Sequence, residues 1–303
     1  MNLARRAALA SVACAILLGS LKAWAAWRTG SVAVLASLAD SVLDLVASLV
    51  TLTGVHVASQ PADHDHRFGH GKAEALAALF QVGVIAVSAF AILLRASQRL
   101  MERQTSVEAE YGIAVSLIAI VVTLALTRYQ RSVVRRTGSI AIGTDRIHYE
   151  SDLFLNSAVI VALALESYAG LAGADAVFGI AIGLWLLFGA WRASVDAIAQ
   201  LMDKEWPEDK RRRFVEVAAR HPELIGLHDL RTRTSGNKDF VQFHIWMDPH
   251  MTVLESHDVV ERLEKELAEE FPDTEVLIHV DPEGQVDEPG NPLAETDLLK
   301  DTR

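Results

Sequence analysis

The stretch LADSVLDLV, residues 38–46, decides how this chain is read. It lies in a run over 31–57 that is otherwise apolar or small, longer than the roughly 20 residues a helix needs to cross a bilayer. Asp40 and Asp44 interrupt that run. Four residues apart on a helix, they share one face, a turn apart. An ionised carboxylate at mid-bilayer costs about 2.5–3.5 kcal/mol on the insertion scale. A charge near a helix end escapes much of that cost by snorkelling to the interface, which suits Arg95, Arg99, Asp196 and Lys22. Asp40 and Asp44 sit too far inside their segment for that, so the pair points to a bound cation.

Composition divides the chain in two. Residues 1–202 carry 15 Lys and Arg against 14 Asp and Glu, whereas residues 203–303 carry 13 against 25. With 51% hydrophobic residues and a mean hydropathy of +0.23, the near-neutral first part suits a lipid bilayer, and the acidic second part faces water. No basic stripe with interleaved aromatics is present, so nucleic acid is not an expected partner. Cys14 is the lone cysteine. It forms no intrachain disulfide, and any metal chemistry falls to His and carboxylates.

Six segments have the length of a membrane helix: 7–27, 32–57, 74–101, 107–127, 140–168 and 175–201. The fifth opens on polar residues from Thr144 to Asp152 and spans only if protein shields that third. Ala23-Trp24-Ala25 after the first segment has the outline of a signal-peptidase site. Lys22 beside it, and the odd number of spans that cleavage would leave, argue for a retained helix. Basic residues set the orientation. Arg5, Arg6, Arg67, Lys72, Arg128, Arg131, Arg135 and Arg136 share one side; Arg28 and Arg103, with Arg99 nearby, lie on the other, where the loop around Gly170 to Gly173 has no basic residue. Both termini and the acidic domain are therefore expected in the cytoplasm.

The acidic part reads as helix–strand–strand–helix–strand, a small α+β domain of ferredoxin-like type over 203–285. Pro207-Glu208-Asp209 opens a helix, with proline and acids in its first turn. Runs over 227–234 and 240–248 flank the hairpin turn Ser235-Gly236-Asn237. An amphipathic helix over 254–271 and a strand over 275–281 follow. Residues 286–303, with Gly290 and Pro292, are expected to be disordered.

Three constellations carry metal chemistry. His148 and Asp152 repeat the four-residue spacing near the start of the fifth span. Facing Asp40 and Asp44, they complete a set of three carboxylates and one imidazole, the four-ligand kind that tetrahedral divalent metals take. That set suits Zn2+ and also admits Fe2+, Cd2+, Co2+ or Mn2+. Such ligands bind metal in their deprotonated forms, so metal entry releases protons. The loop QPADHDHRFGHGKAE (residues 60–74) offers a second site at Asp63, His66 and His70. In the acidic domain, strand alternation places His244 with Gln242 and Trp246, opposite Val241, Phe243, Ile245 and Met247, and puts His279 with Asp281. With His228 and His257 they form a third candidate centre. His56, His221 and His250 read as structural or solvent-exposed.

These motifs resemble the cation diffusion facilitator family, in its bacterial ferrous-iron/zinc efflux branch. The resemblance covers about residues 5–285 and rests on the Asp40/Asp44 pair, on HYESD (148–152), on the loop at 60–74, and on HDLRTRTSG (228–236) and IHVDP (278–282). It implies a homodimeric, proton-coupled exporter of divalent metal ions in the bacterial inner membrane, with six spans and a metallochaperone-like cytoplasmic domain. It implies a transport site at Asp40, Asp44, His148 and Asp152, with Zn2+ both carried and regulatory and Fe2+ or Cd2+ as alternatives. It also implies a binuclear cytoplasmic site at His228, His244, His257, His279 and Asp281 with Asp281 bridging, and an ion pair of Lys72 with Asp203 near the dimer interface. His64 stands where the family commonly has an acid, which leaves the loop ligand set open. An intramembrane metalloenzyme is disfavoured because the chain lacks H-E-x-x-H. A passive channel is disfavoured because four ligands hold a metal too tightly for fast release.

Overall fold

The computed structural model describes residues 2–29, 32–102, 110–169 and 174–300. Arg103, the loop around Gly170 to Gly173 and residues 301–303, on which some expectations bear, lie outside the described residues. The chain divides into two compact units, residues 1–198 and 199–303.

The first unit is helical: α1 (Leu3–Thr29), α2 (Val32–Ala58), α3 (Ala73–Glu102), α4 (Glu110–Thr137), α5 (Ile140–Ala169) and α6 (Ala174–Leu201). At 1.5 Å per residue each is about 40–45 Å long, enough to cross a bilayer. Among the described residues α1–α4 and α6 are long and apolar enough to do so. By composition α5 is not, because Asp145, Arg146, His148, Glu150 and Asp152 crowd its first half. Shielding by neighbours is what it needs, and it has them: α5 packs against α4, α3, α2 and α1, and Asp145, His148, Tyr149 and Ser151 are buried. Leu17, Trp24, Leu43, Val87, Phe90, Val121, Phe188 and Trp191 stand outward. So much apolar surface suits lipid rather than water.

Small residues let the helices approach. Ala4, Ala7 and Ala8 of α1 meet Val55, Ala77, Val133 and Ala141 in one buried cluster. Ile85 and Ala89 of α3 meet Leu186 and Ala190 of α6 in another. At Gly54 of α2 an added Cβ would overlap the Ala77 Cβ of α3 and sit 3.1 Å from the Ala73 carbonyl oxygen. Only glycine fits that approach.

The second unit runs α7 (Glu208–Ala218), β1 (Gly226–Ser235), β2 (Lys238–Met247), α8 (Val253–Glu270), β3 (Thr274–Pro282) and a short α9 (Pro292–Glu295). The sheet order is β1-β2-β3, with β1 antiparallel and β2–β3 parallel. Gly236, at φ 63°, makes the hairpin turn. Thr252 caps α8 by accepting from the Glu255 N–H, while the Glu255 carboxylate accepts from the Thr252 N–H, and the bonds from Thr252 hold the Glu255 carboxyl below its usual range. Phe214, Leu227, Phe243, Ile245, Met247, Leu263 and Leu267 form the core beneath the sheet. The other face of the sheet is left for polar side chains.

The expectation of a disordered tail is corrected over residues 286–300. The Asp297 carboxylate accepts from the Leu227 N–H at 3.2 Å, the Leu298 N–H donates to the Leu227 carbonyl at 2.8 Å, and Leu299 is buried in the core. Composition missed this because two apolar anchors in a polar segment suffice when an edge strand is available to dock on.

Candidate metal centres

In the helical unit, α2 and α5 bring Asp44, His148 and Asp152 together with ligand atoms within 4.8 Å of one another. His148 Nε2 lies 3.0 Å from Asp44 Oδ1, and its side chain is only 5% exposed. Asp40, a turn earlier on α2, is exposed and stands outside that group. The expected quartet is thus seen as a trio. Lys22 of α1, read as a snorkelling residue, donates at 2.7 Å to Oγ of Ser41, the residue that follows Asp40 on α2.

Beside the trio lies a polar hub that the sequence reading did not single out. Asp145 is fully buried. It accepts from Gln81 Nε2 at 2.7 Å, Gln130 Nε2 at 2.8 Å and Ser11 Oγ at 2.7 Å, tying α5 to α3, α4 and α1. The Tyr149 hydroxyl donates to the Ser11 carbonyl at 3.0 Å and lies 2.9 Å from Ser48 Oγ of α2. Asp145, His148 and Asp152 are spaced i, i+3, i+7, one helical face, and that spacing was the available signal.

In the loop between α2 and α3, Asp63, His66 and His70 gather as expected. Asp63 Oδ1 accepts from the His66 N–H at 2.6 Å, and Asp63 Oδ2 lies 3.3 Å from His70 Nε2. Backbone donation from His66 holds the Asp63 carboxyl below the usual carboxylate range. His64 and Asp65 are exposed and outside the group.

The sheet of the second unit builds the third centre through its register. His228 of β1 pairs with His244 of β2, and His244 pairs with His279 of β3. The three imidazoles form a row across the face opposite the core, with ring centroids 5.3 and 4.7 Å apart. Asp281 reaches all of them: Oδ2 lies 2.9 Å from His244 Nδ1 and 3.1 Å from His228 Nε2, and Oδ1 lies 3.3 Å from His279 Nε2. His228 is fully buried, yet among the described residues neither ring nitrogen meets an aligned hydrogen-bond partner. Burial pushes its pKa down, keeping the imidazole in the neutral form that binds metal. A buried, unsatisfied imidazole is costly without a purpose, and a cation supplies one. These residues fit a metal ion.

His257 does not join this row. It is exposed on α8, 3.5 Å from Glu261. Asp203, at φ 54°, lies 3.7 Å from Arg233 Nη1. Two acids not foreseen do approach: Asp229, at a bulge in β1, lies 3.7 Å from His244 Nε2, and Asp287 lies 3.8 Å from His244 Nδ1. Asp287 had no local signal, since it sits in the segment expected to be disordered.

Comparison with known proteins agrees with this architecture. The Cation efflux transmembrane domain family matches residues 8–202, and the Cation efflux protein, cytoplasmic domain family matches residues 206–283. The chain is 45% identical over 282 residues to the cation-efflux pump FieF of Pectobacterium carotovorum, covering 93% of this chain and 94% of that one. It is 44% identical to the FieF pump of Cronobacter sakazakii, covering 93% of each chain. Among solved structures, the metal-bound C-terminal domain of the CzcD transporter from Thermotoga maritima is 32% identical, with a TM-score of 0.25, over 26% of this chain and 93% of that one. Five apolar helices around a shielded polar α5, followed by an α+β domain, match both halves of that domain pair, so the chain is a multi-pass membrane protein and belongs to the cation diffusion facilitator family of metal-efflux transporters.

Proposed function

We propose that the chain exports divalent transition-metal ions, Zn2+ first among them, from the cytoplasm in exchange for protons. The observation that carries this is the convergence of Asp44, His148 and Asp152 from α2 and α5. Two carboxylates and an imidazole enclosed in a helical bundle bind a dication or protons, and not both at full occupancy. Zn2+ entering from the cytoplasm takes the His148 and Asp44 atoms that otherwise face each other at 3.0 Å, and the proton held between them leaves. Asp40 completes the set when α2 turns it inward. Rocking of the helices then opens the site to the other side, where incoming protons release the metal. Oxygen-rich ligands suit Fe2+ as well and Cd2+ less, so competition among these ions ranks them.

The active form in this reading is a homodimer in the bacterial inner membrane with both termini cytoplasmic, as the basic loops favour. The Lys72–Asp203 pair belongs to its interface, and Zn2+ bound at the sheet row would regulate it, held by the imidazoles with Asp281 as the bridging ligand. His257, exposed and apart from the row of its own subunit, serves only a centre completed across the dimer. Metal that binds the assembled form alone strengthens assembly, so chelation is expected to weaken dimer association in detergent.

Reconstituted into liposomes, the parent protein is expected to couple a Zn2+ gradient to proton flux. Asp40→Ala and Asp44→Ala are each expected to abolish that flux while the protein elutes as a folded species. Full flux in both variants overturns the transport-site assignment; Zn2+ movement without proton movement overturns the exchange.

A further inference from the structure

Residues 284–300 lie beyond the matched cytoplasmic domain, yet they are fastened across the strands that carry His228 and His244. At one end the Glu283 N–H donates to the Met247 carbonyl at 3.0 Å, and Trp246 Nε1 donates to the Gln285 carbonyl at 2.6 Å. The Trp246 ring itself packs against His228, 4.6 Å between centroids. At the other end Asp297 and Leu298 bond the Leu227 backbone, one residue before His228, and Leu299 enters the core. Between these two fastenings the strap carries Asp287 to within 3.8 Å of His244 Nδ1. His244, His279 and Asp287 present ligand atoms within 4.8 Å of one another, a second group overlapping that of His228, His244 and Asp281. The neighbouring Glu288 lies 3.8 Å from Arg231, which is held by Asp229 at 2.8 Å. That contact fixes the strap beside the imidazole row.

We propose that this strap is a working part of the cytoplasmic metal centre, with Asp287 supplying a carboxylate ligand to the ion on the His244 and His279 side. The proposal rests on the reading of the sheet row as a metal centre and deepens it. A second carboxylate beside Asp281 matches the charge of a dication and adds a hard oxygen to an imidazole set, favouring Zn2+ or Fe2+ over softer ions. It also makes the tail report on occupancy, because a metal bound partly by Asp287 holds residues 284–291 against the sheet.

The test uses full-length protein in detergent, in an Asp44→Ala/His70→Ala background where the other two centres each lack a ligand. Zn2+ titration by calorimetry and Co2+ titration by visible absorption are compared for Asp287→Ala, Asp287→Glu and His244→Ala. Asp287→Ala is expected to weaken Zn2+ binding at the cytoplasmic centre by at least the roughly tenfold typical of groups that support a metal site. It should also change the Co2+ ligand-field bands and abolish the Zn2+-dependent slowing of hydrogen exchange over 284–291, while Asp287→Glu retains much of each effect. Binding, bands and exchange in Asp287→Ala that match the background protein, with His244→Ala losing the site, overturn the role of Asp287 and leave the centre standing. If His244→Ala also binds as the background does, the centre itself falls and the strap's role falls with it.

Discussion

Asp145 shows what one side chain can ask of a membrane bundle. A buried carboxylate is tolerated only when its oxygens are met by donors, and here α1, α3 and α4 supply them. Asp145→Leu takes the acceptor from the Gln81 amide, at about 1–3 kcal/mol for a buried group so stranded, while Ser11 Oγ keeps its bond to the Ala7 carbonyl and Gln130 Nε2 its bond to Ser11 Oγ. The melting temperature in detergent is expected to fall, with Asp145→Asn affected less because it keeps an acceptor oxygen. Equal stability of the leucine variant and the parent contradicts the hub. Asp63 makes a different case. Its carboxyl is held below the usual range by the His66 N–H, so it stays ionised from pH 5 to 8. Asp63→Asn is expected to lower loop-site Zn2+ affinity at pH 7, read by calorimetry, because it removes an anionic oxygen that faces both imidazoles; affinity equal to that of the parent refutes it.

Elements meet through positions that admit no substitute. α2 and α3 approach at Gly54 so closely that even a methyl group overlaps Ala77. Backbone rather than a flexible side chain stands behind that contact, and overpacking of this kind costs about 1–3 kcal/mol. Gly54→Val is expected to lower the detergent melting temperature and to reduce transport, since it pries apart the helix carrying Asp44 and its neighbour. In the second unit the reciprocal bonds of Thr252 and Glu255 start α8. Thr252→Ala is expected to cost about 1 kcal/mol, read as faster hydrogen exchange in the first turn of α8 with the sheet unaffected. Much of this level was legible beforehand: the acids after Pro207, the Ser235-Gly236-Asn237 turn and the alternation along β2 led to elements within a residue or two of those observed. The tail was not. Its order depends on Leu299 finding the core and Asp297 finding the Leu227 amide, contacts distant in sequence that no local pattern announces.

On the scale of the whole molecule, the near-neutral helical unit and the acidic α+β unit answer to different solvents. In the second unit burial depresses the pKa of His228 below its ordinary 6.5. The unfolded chain therefore takes up the proton first as pH falls, so between 6.5 and the lowered value the metal-free unit loses stability with falling pH. Hydrogen exchange of β1 and β2 amides in chelator-treated protein, corrected for intrinsic rates, is expected to show less protection at pH 5.5 than at pH 7.5. Saturating Zn2+ should offset the loss at the upper end of that window by binding the folded form. Unchanged protection across the range is incompatible with a neutral, buried His228.

The sequence by itself determined the division into a membrane part and a water-facing part, the pairing of acids and histidines at four-residue spacing, and the face of each strand. These follow from periodicity and from the cost of burying charge, and both are properties of the local chain. Only the tertiary structure decided which of those side chains meet. It set Asp44 beside His148 while leaving Asp40 outside, aligned three histidines by strand register, and enclosed Asp145 among four helices. It also drew Asp287 from the tail to the imidazole row. Such meetings depend on how distant segments pack, and a one-residue change of register or a small rotation of a helix would move each of them without altering any pattern along the chain.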